Sequence, residues 1–229
     1  MKTTVICIGD SITEGIGSSD PGRFSYVSEL ALMLGEEYTV INRGRNGATL
    51  MPPPNGNVDD YMRLPHFRQA REDARAAKER GDRLIVSLML GTNDADVIDY
   101  GFEGRGKEYY DRYHDRFVGF YFALLSGLLE EAPDLRLIVS LSPYSYDNSK
   151  HESFGNLDSV WKFQREFAVT AAAEGVRTVI NDMAAATAPE KLGESGVAAY
   201  FGDRLHPNDL GHMYFAHEFY KAVKAAEAL

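Results

Sequence analysis

The chain has 229 residues, with 24 Lys and Arg against 34 Asp and Glu, for a net charge of −10. That excess of acid argues against a general electrostatic hold on nucleic acid or on an anionic membrane. The apolar fraction of 44% and charged fraction of 25% are ordinary for a soluble globular protein, and the length suits one domain spanning residues 1–229.

The stretch Thr3 to Gly15 reads TTVICIGDSITEG. Val5, Ile6, Cys7 and Ile8 form a short apolar, β-branched run, the pattern of a strand buried on both faces. Cys7 is the sole cysteine, so an internal disulfide framework and a cysteine zinc site are excluded. It reads as a small buried apolar residue. Gly9 and Asp10 break the run and deliver Ser11 at the strand's C-terminal end, where ligands sit in an open parallel sheet. Serines at such positions also cap helices and bond to turns. Met1 and Lys2 lead straight into this strand, which leaves no room for a signal peptide. No apolar run approaches the ~20 residues of a membrane span, so the expected location is cytoplasmic.

Phe24 to Glu36 follows at helical spacing, with Gly35 as its end, and Tyr38 to Ile41 forms a second strand. Asn42 to Gly47 reads as a glycine-punctuated loop, and Pro52 to Asn57 as a surface loop. Pro65 to Arg80 is a charged, alanine-rich helix closing at Gly81. Leu84 to Leu90 is a third strand, ending in Gly91-Thr92-Asn93-Asp94. Ala95 to Arg112 mixes aromatics, charges and glycines, and Asp96 to Tyr110 within it is a lid or an ordinary excursion. A long helix from Tyr113 to Ala132 precedes a fourth strand, Arg136 to Leu141, and the polar loop Ser142 to Asp147. Asp158 to Glu174 is helical and Arg177 to Ile180 is the fifth strand. Gly202 to Pro207 opens the last helix, with Pro207 suited to its first turn. This alternation predicts an α/β fold of three layers, a doubly wound five-stranded parallel sheet in order 2-1-3-4-5. Its right-handed crossovers bring Ser11, Gly47, Asn93 and the loop after the fourth strand to one edge.

A serine nucleophile needs a base, an orienting carboxylate and donors for an oxyanion. The base must come from His66, His114, His151, His206, His212 or His217. Acids stand three residues before His114, His206 and His212, so that spacing alone does not choose. Only His206 has a helix-starting proline after it, in Asp203-Arg204-Leu205-His206-Pro207, and so falls in a loop. There Asp203 could hold the imidazole, although an Asp and a His near a helix start also serve as caps. His206, His212 and His217 are six and five apart, which does not stack them on one helical face for a metal. Asn93 offers two side-chain donors, and Gly47 a backbone N–H in an unobstructed loop; both residue types are also ordinary turn formers. No Gly-x-Ser-x-Gly elbow, phosphate-cradling Gly-x-x-x-x-Gly-Lys motif or clean Gly-x-Gly-x-x-Gly is present.

Taken together, Gly9-Asp10-Ser11-Ile12, Gly47, Gly91-Thr92-Asn93-Asp94 and Asp203-x-x-His206-Pro207 resemble the four blocks of the SGNH (GDSL) hydrolase family, in family order over essentially the whole chain. Ile12 stands where the name-giving motif has leucine. The resemblance implies Ser11 as nucleophile, His206 as base and Asp203 as orienting acid. It also implies an oxyanion hole of the Ser11 and Gly47 N–H groups with the Asn93 side chain, Gly44 being the competing glycine. The flavodoxin-like fold is the family's, and no metal or organic cofactor is implied. The expected activity is removal of a short acyl group, acetyl first, from a carbohydrate or other polar alcohol through an acyl-enzyme. The alternatives are a lysophospholipase or acyl thioesterase of the same family, or a non-catalytic carbohydrate-binding protein on this scaffold. The expected partner is a small ester substrate, without nucleic acid or a membrane span; the oligomeric state is left open.

Overall fold

In the computed structural model, residues 1–52, 60–95, 106–146 and 157–229 are described, with 106–110 as backbone only. Five parallel strands form one sheet: β1 (Thr3–Gly9), β2 (Tyr38–Gly44), β3 (Arg83–Met89), β4 (Arg136–Ser140) and β5 (Arg177–Asn181). Their order is β2-β1-β3-β4-β5, the doubly wound arrangement anticipated from the alternation of elements. The helices are α1 (Ser11–Glu14), α2 (Pro21–Phe24), α3 (Tyr26–Leu34), α4 (Pro65–Arg80), α5 (Gly106–Glu131), α6 (Leu157–Ala173), α7 (Met183–Ala186), α8 (Pro189–Tyr200) and α9 (Asp209–Glu227).

Period-2 alternation sends the two halves of each strand into separate cores. Ile6, Ile8, Val86, Leu88, Leu137 and Val139 pack against α4, α5 and α6. Val5, Cys7, Ile85, Met89 and Ile138 pack against Tyr26 of α3 and Phe215 and Phe219 of α9. β1 is buried at all seven positions, as expected of a central parallel strand. Burial pushes the Cys7 thiol up to about 12, so it stays protonated as a packing residue. Among the described residues no helix is long and apolar enough to cross a membrane.

Four boundaries differ from the sequence reading, each for a local reason. The helix expected over Phe24 to Glu36 is split, because the Ser25 side chain accepts from the Ser28 N–H and starts α3 afresh. β2 continues through Asn42 and Arg43 to Gly44, since Cys7, Ile8 and Gly9 supply a pairing edge for all three. The long helix begins at Gly106, so it absorbs the end of the aromatic segment; residues 96–105 lie outside the described residues, and the lid reading with them. The final helix starts at Asp209 with Asn208 as its cap, which leaves Pro207 outside it, bridged to Phe201.

His212 of α9 is fully buried. Its Nδ1 accepts from the Tyr26 N–H at 3.2 Å and its Nε2 faces the Ile16 carbonyl at 3.2 Å. An imidazole that accepts on one nitrogen and donates on the other is neutral. Burial is the leading cause that lowers its pKa from 6.5 to about 4. Between those values the unfolded chain binds a proton that the folded chain refuses. The stabilisation from His212 is therefore complete above pH 6.5 and is lost as pH falls towards 4. Urea unfolding should show wild type losing on the order of 3 kcal/mol more than His212→Gln over that interval. Equal losses in both proteins would refute this assignment.

Candidate active site

Parallel register sets the ends of three strands in one row, with Gly9 paired to Gly44 on one side and to Met89 on the other. Just past Gly9, Asp10 caps α1 by accepting from the Ile12 N–H at 3.0 Å. That cap starts the helix at Ser11, whose N–H is the first of the helix and has no acceptor within it. Ser11 is 6% exposed. Its Oγ lies 3.0 Å from Nε2 of His206, and Nδ1 of His206 lies 2.7 Å from Oδ2 of Asp203. Ser11, His206 and Asp203 thus meet, although 192 or more positions separate the first from the others in the chain.

The Asp203 to His206 turn is built rather than inherited from a helix. Arg204 adopts φ of 70°, a conformation a side chain rarely takes, and its carbonyl accepts from the Tyr146 N–H at 2.8 Å. Oδ1 of Asp203 accepts from the Leu205 and His206 N–H groups at 3.0 and 2.6 Å. Partial burial works against the Asp203 charge. The hydrogen bonds from the His206 ring and from these two amides outweigh it and hold the carboxyl below its ordinary value. From the other side, the loop after α1 fits closely: a Cβ on Gly17 would lie 2.9 Å from Cβ of His206. Ser19 fastens that loop to Asp209, N–H and hydroxyl each donating at 2.7 Å.

The two candidate donor glycines separate clearly. Gly44 spends its N–H on Oδ1 of Asn42 at 2.8 Å, and a Cβ there would fall closer than 3.0 Å to the backbone of Thr13 and Glu14. It is a packing glycine. Gly47 has φ of 74° and open space where a Cβ would go, and its N–H has no acceptor among the described residues. Asn93 uses one amide hydrogen on the Ala48 carbonyl at 2.9 Å, which leaves the second for another acceptor.

Among the described residues no other histidine bonds to Ser11. His114 bridges Asp115 and Glu166 at 3.0 and 2.8 Å, and His217 lies 3.9 Å from Glu218. His66 lies in the first turn of α4, and His151 is outside the described residues. Among the described residues no group of three or more His, Cys, Asp and Glu is arranged to hold a metal.

Three supports had no recognisable signal in the sequence. Gln164 of α6 is fully buried and donates to the Leu90 carbonyl at 2.7 Å, while accepting from the Ser142 N–H at 3.1 Å. It thereby ties the ends of β3 and β4. Tyr146 pins Arg204, as described. Asp94, part of a quoted motif but given no role there, is fully buried beneath the loop that follows Gly47. Only a contact map would have singled these out, since each is an unremarkable residue type in its own segment.

With this geometry in view, the sequence signature of the GDSL-like lipase/acylhydrolase family matches residues 7–214. The chain belongs to that family. An acetylxylan esterase of Xylanibacter ruminicola is 35% identical over 104 residues, which span 44% of this chain but only 19% of that much longer protein. Solved structures share the fold across nearly full length at low identity. A lipolytic G-D-S-L family protein of Veillonella parvula matches at TM-score 0.61 and 17% identity, covering 97% of this chain and 98% of its own. The aryl esterase of M. smegmatis gives 0.62 at 18%, covering 99% and 100%. A family 3 carbohydrate esterase of Clostridium thermocellum gives 0.61 at 16%, covering 99% and 98%.

The difference between the two glycines is measurable. Gly44→Ala should destabilise the protein by about 3 kcal/mol or prevent folding, because the obstructing atoms are backbone. Gly47→Ala meets only the left-handed φ penalty, about 1 kcal/mol. Thermal or urea melts of the two variants decide it, and the reverse order would contradict the packing described.

Proposed function

We propose that this member of the family is a serine esterase that removes a short acyl group, acetyl first, from a sugar or similarly polar alcohol. The observation that carries the reading is the continuous chain of contacts from Asp203 through His206 to Ser11, at 2.7 and 3.0 Å. With Nδ1–H donated to Asp203, Nε2 is left as acceptor and takes the proton from Ser11 as Oγ attacks the ester carbonyl. The negative charge that develops on the carbonyl oxygen is met by the Ser11 and Gly47 N–H groups and the second amide hydrogen of Asn93. Collapse breaks the bond to the alcohol, which leaves with the proton from Nε2. Water then gives a proton to His206 and attacks the acyl-enzyme, and Ser11 recovers its proton as the acid departs.

Two observations support a polar alcohol as leaving group. Trp161, Tyr144, Tyr146 and Phe201 run as a row of aromatic rings from α6 to the turn that carries Asp203. Successive centroids are 6.1, 5.1 and 5.3 Å apart. Tyr144 and Trp161 are half-buried, and such faces suit stacking on sugar rings. The partial likeness to an acetylxylan esterase points to the same acyl group and alcohol.

The serine mechanism is tested with a fluorophosphonate. One adduct should form, located on Ser11 by mass spectrometry, and Ser11→Ala should lower ester turnover by roughly 10⁴-fold or more with the fold intact. An adduct elsewhere, or activity retained without Ser11, sinks the reading. The substrate class is tested with acetyl, butyryl, octanoyl and palmitoyl esters of one alcohol. An acyl channel would reward each buried methylene by about fourfold in kcat/KM, from about 0.8 kcal/mol. We expect kcat/KM to fall with length, and acetate to be released from acetylated sugars. A rise to octanoyl or beyond would instead indicate a lysophospholipase or thioesterase.

A further inference from the structure

The fully buried carboxylate of Asp94 makes no direct approach to Ser11 among the described contacts, yet it carries the loop on which Gly47 depends. Oδ1 accepts from the Leu50 and Met51 N–H groups at 3.0 and 2.8 Å, and Oδ2 from Leu50 at 2.9 Å. Next to it in the chain, Asn93 donates to the Ala48 carbonyl at 2.9 Å. Two consecutive residues in the loop after β3 therefore grip three of the four residues Ala48 to Met51 of the neighbouring loop, beginning one position after Gly47. Gly47 itself has no side chain to pack and, among the described residues, no contact at its Cβ position and no acceptor for its N–H. Its placement is inherited from what holds Ala48 to Met51.

We propose that Asp94 is a positioning residue for the acyl-transfer site, acting as an ionised clamp that holds the Gly47 N–H in line with the Asn93 amide. The proposal rests on the serine-esterase reading above. An ionised carboxylate only accepts, which matches the N–H groups that face it; protonation of Oδ2 turns that oxygen into a donor facing the Leu50 N–H and leaves neutral Oδ1 to hold both amides. The clamp is then weakened, because two charge-assisted bonds become neutral ones and the Oδ2 contact is gone.

The surroundings make this clamp sensitive to pH. Burial is the leading cause that raises the Asp94 carboxyl to about 7, and the charge of Asp10 at the end of β1 acts in the same direction. The Leu50 and Met51 amides oppose both. From α5 the facing titratable group is the Tyr121 hydroxyl, itself pushed far up by burial and so neutral throughout. The segment Ala48 to Met51 contributes no titratable side chain. Acidification through neutrality therefore protonates Asp94 and slackens the loop, independently of any proton taken up by His206.

The test is the pH dependence of kcat and KM for a short ester, in wild type and Asp94→Asn, with circular dichroism at each pH to confirm folding. In wild type the catalytic base and Asp94 both act deprotonated, so the acid limb of log kcat should steepen beyond one proton, towards two, through the range in which Asp94 is protonated. Asp94→Asn should lower kcat by about 10–100-fold, less than outright removal of an oxyanion donor, with KM within about threefold. Its acid limb should fall to a slope of about one. A folded Asp94→Asn with wild-type kcat, or with the two-proton limb retained, overturns the proposal. If that variant does not fold, a one-proton limb in wild type overturns it by itself. Failure of the esterase reading would look different, because turnover would then survive Ser11→Ala, whereas failure here leaves turnover dependent on Ser11.

Discussion

Everything at this site depends on the common register of β1, β2 and β3. Gly9 is paired with Gly44 and Met89 at once, so three connecting loops leave the sheet from a single row. Strands in a sheet lie about 4.8 Å apart, and a loop needs only about two to four residues beyond its strand to reach over a neighbour. Ser11, Gly47 and Asn93 stand two, three and four residues past the ends of their strands, which is that reach. The close approach of β2 to α1 has a steric condition, since the backbone of Thr13 and Glu14 occupies the place of a Cβ on Gly44. A glycine there is the condition for the row, and a second glycine three residues later is the condition for an open donor.

Proximity of loops does not by itself fix the orientation of a donor, and here buried polar side chains do that work. Asp94, Gln164 and His212 are each fully buried and each bonded to backbone groups of loops rather than to one another. An unmet buried donor or acceptor costs about 1–3 kcal/mol, so each of these side chains penalises every loop position except the one that satisfies it. Three braces then define three segments: Asp94 the loop after β2, Gln164 the junction of β3 and β4, and His212 the loop after α1. The strained turn at Arg204 belongs to the same logic, because the Tyr146 amide and two bonds to Asp203 offset a conformation that would not persist alone.

This division explains what could be read from the chain before the fold was known. Strand order and the identity of the loop-edge residues were legible because they follow from apolar runs, from glycine and proline punctuation and from the handedness of crossovers, all of them local signals. The residues brought around Ser11 carried such signals: a serine at a strand end, an asparagine at another, a histidine held out of a helix. The braces did not. Nothing in the neighbours of Gln164 distinguishes it from any polar residue on a helix, and its role exists only because Leu90 and Ser142 arrive beside it from distant segments. The start of α9 differs from the sequence expectation for a related reason. Pro207 looked like a first-turn proline, but its pairing with Phe201 draws it out of the helix and passes the cap to Asn208.

The site's chemistry and its stability therefore titrate through different groups with opposite demands. His212 must stay neutral to accept from Tyr26, so the loop beneath His206 is held better as pH rises towards neutrality. Asp94 holds Leu50 and Met51 most strongly while charged, at the energetic cost of keeping a carboxylate buried beside Asp10. Its folded value is raised, so proton uptake by Asp94 favours the folded chain on acidification even as it frees the loop that Gly47 sits on. A loss of turnover on acidification therefore need not report unfolding. The two processes are carried by residues on opposite faces of the sheet, Asp94 on the side of α5 and His212 on that of α3 and α9. That separation allows loop order and global stability to respond to pH in opposite directions.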